Sequence, residues 1–192
     1  LFFMSVLAYV AGGAVVVLAL ITIYYYNKIV KLENRVDNAW AQIDVQLKKR
    51  ADLIPNLQET VEGYREHERE VMDQVSESRE RMMNASSQEE EVQAGNDMGQ
   101  ALKSLFAVAE DYPDLKASQN FSELQQELSS IENKIAYARQ HYNDSVMEFN
   151  NAIETFPAVA FANIFGKQEK DQLEIETADK ELPEVDFSGD QQ

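Results

Sequence analysis

The sequence predicts an all-α protein: an antiparallel bundle of about four long helices carried behind one N-terminal transmembrane helix. Three observations point there. Residues 1–27 contain no charged side chain. Beyond them, apolar residues recur at steps of three and four with no competing strand alternation. The four prolines fall where helices should start or stop.

The run 6–26 is almost wholly apolar before the chain turns heavily charged at Lys28. At about 1.5 Å rise per residue it spans roughly 30 to 40 Å, enough for the roughly 30 Å hydrocarbon core of a bilayer. A cleavable signal peptide would carry a basic first region, a shorter apolar core and a small-residue cleavage site, and none of these is visible. Lys28, Lys31 and Arg35 follow the span directly and no Lys or Arg precedes it. The positive-inside rule therefore places the N-terminus outside and the bundle in the cytoplasm, on a single-pass protein of the cell membrane. The expected organisation is an anchor over 1–27, a bundle domain over 28–165 and an acidic, mostly disordered tail over 166–192.

The first soluble helix places Ile29, Leu32, Val36, Trp40, Ile43 and Leu47 on one stripe and continues the membrane helix without a break. It should end near Asp52, which can cap a second helix that tolerates Pro55 in its first turn. Leu57, Val61, Tyr64, Val71 and Val75 extend that helix's apolar face. Ser87 and Glu90 have capping-box spacing and open a third helix over 88–111, closed by Pro113. Gly95 and Gly99 each cost it about 1 kcal/mol relative to Ala, so its first half should be mobile. The fourth helix carries the clearest pattern: Phe121, Leu124, Leu128, Ile131, Ile135, Ala138, Tyr142, Val146, Phe149, Ile153 and Phe156. Its mean step of 3.5 residues makes a coiled-coil-like seam with a stutter around Tyr142, ended by Pro157. In the tail, nine acids meet three lysines. Pro183, Val185 and Phe187 form a short piece apolar enough to dock back, although a free tail carrying stray hydrophobes is the plainer alternative.

Lys and Arg total 17 against 34 Asp and Glu, a formal charge of −17. This argues against nucleic acid or anionic lipid as partner of the soluble part. It also suits a halophilic protein, whose self-repulsion is screened by concentrated salt; an acidic tail on an ordinary domain is the plainer alternative. With no cysteine, disulfides, iron–sulfur clusters and thiol catalysis are excluded.

No catalytic motif emerges. His67 and His141 are the only histidines, and each is preceded at three residues by Tyr64 or Ala138 rather than by the Glu that a di-iron bundle requires. His67 sits in a charged run that reads as a solvated helix face. Neither metal nor cofactor is expected, and no enzymatic activity. Two polar clusters stand out instead. Asn34, Arg35, Asp37, Asn38, Trp40, Gln42 and Asp44 crowd the first soluble helix, although Asn and Asp are mediocre helix formers. Tyr137, Arg139, His141, Tyr142, Asn143 and Asp144 do the same on the fourth. If both face inward, they form a polar network across the bundle, structural rather than catalytic.

Long, irregular stretches carry a family resemblance. Asn34-Arg35-Val36-Asp37-Asn38-Ala39-Trp40-Ala41-Gln42-Ile43-Asp44, Arg50-Ala51-Asp52-Leu53-Ile54-Pro55-Asn56-Leu57, Tyr112-Pro113-Asp114-Leu115, and Ile135-Ala136-Tyr137-Ala138-Arg139 with Tyr142-Asn143-Asp144 strongly resemble the LemA family. The likeness covers nearly the whole soluble chain. Ser118 stands where Asn is more familiar, and the region after Phe165 is more acidic than usual. The resemblance implies an antiparallel bundle behind a membrane helix, in a family without an established enzymatic activity and with no functional residues to carry over. Members linked to magnetosome membranes or lying near membrane proteases imply a scaffold or adaptor, meeting a protein partner or copies of itself. The alternatives are a coat or filament subunit, and a ligand- or metal-binding accessory to a membrane enzyme.

Overall fold

The computed structural model describes residues 2–64 and 69–174. Its order is α1 (Phe2–Val61), a 3-10 turn (Glu62–Tyr64), α2 (Arg69–Met83), α3 (Gln88–Ala109), the one-turn α4 (Pro113–Lys116), α5 (Gln119–Glu154) and α6 (Ala158–Ile164). Among the described residues there is no strand. The four long helices are α1, α2, α3 and α5.

At about 1.5 Å per residue the 60 residues of α1 reach roughly 90 Å. Its first half stands clear of the bundle, with Val15, Val16, Val17, Leu18 and Leu20 all exposed. The second half is the spine of the core. Ile29, Leu32, Val36, Ala39, Ile43, Leu47, Ala51, Ile54, Leu57 and Val61 are buried in unbroken phase. Helix α5 runs antiparallel along this stripe: Arg35 meets Glu148, Trp40 meets Tyr142 and Arg50 meets Glu132. Helix α2 is antiparallel to α1 at its far end, through Gln58 and Ser76. Helix α3 returns antiparallel to α5, through Asn96 with Arg139 and Phe106 with Phe121. Nine of the eleven seam positions expected on the fourth helix are buried; Leu124 is half-buried, and Phe156 lies beyond α5 and is 88% exposed.

The expected break near Asp52 is not there: α1 passes through Pro55 and stops at Val61. A proline inside a helix leaves the carbonyl four residues earlier without its donor and costs about 3 kcal/mol. Here that carbonyl belongs to Ala51, and Arg79 on α2 donates its Nε to it at 3.0 Å. The core stripe around Pro55 supplies the rest: Ala51, Ile54 and Leu57 are fully buried while Pro55 itself faces out. The helix predicted to carry Leu57, Val61, Tyr64, Val71 and Val75 is therefore divided between the end of α1 and the start of α2. Leu57, Val61 and Val75 are buried, and Val71 packs against the core. The side chain of Tyr64 and all of His67 fall outside what the structure describes.

Helix α3 starts as predicted. Ser87 Oγ accepts from the Glu90 backbone N–H at 3.2 Å, and the Glu90 carboxylate accepts from Ser86 N–H at 2.8 Å. It ends at Ala109, and Pro113 opens α4 rather than closing α3. The two glycines are points of close approach. A Cβ on Gly95 would lie 2.7 Å from Leu47 Cδ2, and one on Gly99 would lie 3.3 Å from the Arg50 guanidinium. Past α5, Pro157 caps a helix the periodicity did not announce, the seven-residue α6.

Candidate functional site

Two faces of the α1–α5 pair carry the polar residues singled out in the sequence.

On the first face, Trp40 and Tyr142 meet edge-on, ring centroids 5.8 Å apart at 72°. Trp40 is half-buried rather than a core residue, because it closes the wall of a cavity of about 530 Å³. Asp37, Tyr142, the N-terminal turn of α3 around Ser87 and Gln88, and residues Lys170, Asp171 and Leu173 complete the lining. Those last three belong to the segment 167–174, which the composition placed in a loose tail. It is instead laid along the bundle as an extended strap, parallel to α1 and antiparallel to α5. Asn150 donates to Lys170 O at 2.9 Å and accepts from Lys170 N–H at 3.0 Å. Asn143 makes the same pair of bonds with Leu173, both at 2.8 Å. The two asparagines are seven residues apart on α5, so they share one face and grip the strap at two points. Lys167 pairs with Glu33 at 2.5 Å, and Lys170 pairs with Asp37 at 2.8 Å while lying 5.8 Å from the Phe149 ring centre. Burial raises the Tyr142 hydroxyl above its ordinary pKa, and the carboxylates of Asp171 and Asp37 push it the same way. The apolar trio Pro183, Val185 and Phe187 lies outside the described residues.

Two further clusters on these helices are charged. Arg50 is 2% exposed, donates to Gly95 O at 2.8 Å and forms an ion pair with Glu132 of α5. Burial lowers its pKa, against the pull of Glu132. Asp44 of α1 and Glu91 of α3 share a hydrogen bond, with Lys48 2.5 Å from Asp44. Burial raises Glu91 to about 7, reinforced by the hydrogen bond and charge of Asp44. Burial also pushes Asp44 upward, but hydrogen bonds from Lys48 and Glu91 outweigh it and leave it below its ordinary value.

The second face is a groove of about 690 Å³ between α1 and α5, lined by Ala41, Gln42, Val45 and Gln46 opposite Asn133 and Tyr137. Tyr137 is 72% exposed and Val45 46%. Gln46 Oε1 is buried there with no hydrogen-bond partner among the described residues.

The predicted clusters thus divide. Asp37, Trp40, Tyr142 and Asn143 come together under the strap, Asp44 joins Glu91, and Arg139 reaches across to Asn96 Oδ1 at 2.6 Å. Arg35 pairs with Glu148 on the bundle surface. Asn34, Asn38 and Asp144 are exposed, and Tyr137 and Gln42 face the opposite groove. One inward network does not include them all. Arg50, Glu91, Glu132, Asn150 and Lys170 were not singled out in the sequence. The asparagine pair has a readable signal, two amides one heptad apart on a helix, whereas nothing local distinguishes Arg50 from the neighbouring Lys48 and Lys49. Among the described residues, no group of three or more His, Cys, Asp and Glu side chains is placed to hold a metal.

Comparison with known proteins gives two matches. The LemA family model aligns with residues 39–187. The protein named Protein LemA from Metamycoplasma hominis is 24% identical over 162 residues, an alignment that takes in 80% of this chain and 74% of that one.

Proposed function

Because the chain belongs to the LemA family, we propose that it is a membrane-anchored scaffold whose bundle presents the α1–α5 groove to a protein partner. The observation that carries this reading is the continuity of α1. One uninterrupted helix is apolar on all sides over its first half and buried along one stripe over its second. The segment suited to lipid and the spine of the bundle are therefore one rigid body, which holds the groove at a fixed height above the bilayer. Lys28, Lys31 and Arg35 directly after the span support a cytoplasmic bundle by the positive-inside rule. The groove has what a docking surface needs: an exposed tyrosine, apolar flanks and an amide oxygen able to accept a hydrogen bond.

The test is photocrosslinking in native membranes, with benzoylphenylalanine in place of Tyr137 and, as control, of Lys103 on the exposed face of α3. A discrete heavier product from position 137 alone is expected. A product of twice the chain's mass would move the reading to a coat or filament subunit. Equal products from both positions, or none from 137, would overturn it.

A second reading rests on the cavity under the strap. Its Trp40–Tyr142 wall, with Glu89 and Asp171 also in the lining, suits a small cationic or aromatic ligand, as in an accessory to a membrane enzyme. A ligand-induced rise in melting temperature that Trp40→Ala abolishes would favour it over the scaffold.

A further inference from the structure

The segment from Thr155 to Gly166 is twelve residues without a charge in a chain of net −17, and it holds Phe156, Val159, Phe161, Ile164 and Phe165. It is bracketed by Glu154 and Lys167. Its core-facing side is small: Ala158 and Ala162 are buried against the bundle. Its large side chains turn elsewhere. Phe156 is 88% exposed and Ile164 76%, more than any other large hydrophobic side chain described outside the apolar half of α1. An acidic protein in water gains nothing from such exposure.

Its position explains the pattern. Helix α6 and its C-terminal flank sit against α1 at Tyr25 and Tyr26, in the aromatic end of the apolar run just before Lys28. Tyr25 stacks on Phe161 at 5.3 Å with the rings 8° from parallel, and Tyr26 meets Phe165 edge-on at 5.1 Å. Tyrosines at the end of an apolar span mark the level of the lipid headgroups. Lys167 then returns the chain to the charged zone by pairing with Glu33.

We propose that α6 and its flanking residues form a second membrane contact, lying in the bilayer interface beside α1 with Phe156 and Ile164 turned into the lipid. The proposal rests on the reading of α1 as a membrane span. The occupant is lipid rather than a second copy because the patch is continuous with the lipid-suited surface of α1 and lies at the same height as its tyrosine belt. An uncharged insertion of this kind needs no anionic headgroup, in keeping with the acidity of the rest of the chain. With two contacts instead of one, the bundle has a fixed tilt relative to the membrane rather than a pivot.

The chain has no cysteine, so single spin labels can be placed without background at Phe156→Cys, Ile164→Cys, Leu18→Cys and Glu127→Cys in the full chain, reconstituted in phosphatidylcholine vesicles. Collision with oxygen, which concentrates in lipid, is compared with collision with a water-soluble nickel chelate. Labels at 156 and 164 should favour oxygen, less strongly than 18 and with the opposite sign to 127. If 18 favours oxygen while 156 and 164 behave like 127, the span stands and the second contact is overturned. Shielding of 156 and 164 from both reagents, with dipolar broadening between chains, would put a second copy on the patch and also overturn it. A water-like label at 18 would remove the span itself, and the proposal with it.

Discussion

The two halves of α1 are one helix with two kinds of surface. Residues 2–27 and residues 28–61 are both rich in apolar side chains, yet the first half is exposed around its circumference and the second is buried along a single stripe. What separates them is the arrangement of polar residues. The first half has none that is charged, so no side of it prefers water. The second interleaves Glu33, Asp37, Asp44, Lys48 and Lys49 between its apolar positions, so one side must face the bundle and the other the solvent. Apolar content measures how much surface needs hiding; its phase decides whether protein or lipid hides it.

Deleting residues 1–27 is the most severe test of that contrast. The remaining chain should stay in solution without detergent and keep its helical circular dichroism, whereas the full chain should require detergent or lipid. An aggregated or unfolded product would mean the halves are not separable. Within the buried half, the largest effect is expected at Arg50. Arg50→Ala leaves a hole among fully buried neighbours and strips Gly95 O of its donor, for a loss of about 3 kcal/mol in chemical denaturation of the anchor-free chain. Trp40→Ala should cost about 2 kcal/mol, less than a core tryptophan, because the indole borders a cavity. A change below about 1 kcal/mol would make it purely a surface residue.

Arg79→Ala should cost about 1 kcal/mol by leaving Ala51 O without a donor. The same substitution made together with Pro55→Ala should cost less, since residue 55 then supplies the N–H itself. Equal costs in the two backgrounds would break the assignment of Arg79 to the proline gap. The smallest effect concerns pH. Glu91 is raised from its usual 4.5 to about 7, so the folded state holds its proton more tightly than the unfolded chain. Its contribution is complete below about pH 4.5 and is lost as pH rises through about 7. Stability should therefore decline across that window in the anchor-free chain, and Glu91→Gln should flatten the decline. An unchanged slope would show that the folded chain holds the Glu91 proton no more tightly than the unfolded one.

The helices were legible in the sequence because burial here follows a 3.6-residue period. The stripe from Ile29 to Leu47, the seam from Phe121 to Ile153 and the Ser87 cap all sit where the pattern puts them. Local rules misled where a distant residue supplied the missing partner. Pro55 reads as a boundary unless Arg79 is known to reach Ala51 O, and Gly95 reads as a defect unless Leu47 is known to press against it. The candidate site was half legible for the same reason. Trp40, Asp37, Tyr142 and Asn143 are conspicuous by type, but their grouping depends on the strap, and a short acidic segment announces no docking. The two Asn residues left in solvent, Asn34 and Asn38, are of the same type as Asn143; only tertiary placement distinguishes them.

The asparagine grips have a consequence for what the strap can become. Asn143 and Asn150 bind backbone N–H and C=O groups, so they recognise an extended chain rather than any particular side chains. Position 171 lies between the gripped residues, with its side chain free of either grip. The chemistry over the cavity can thus be rewritten at position 171 while the lid stays fastened. The one residue refused at positions 170 and 173 is proline, which has no N–H to offer.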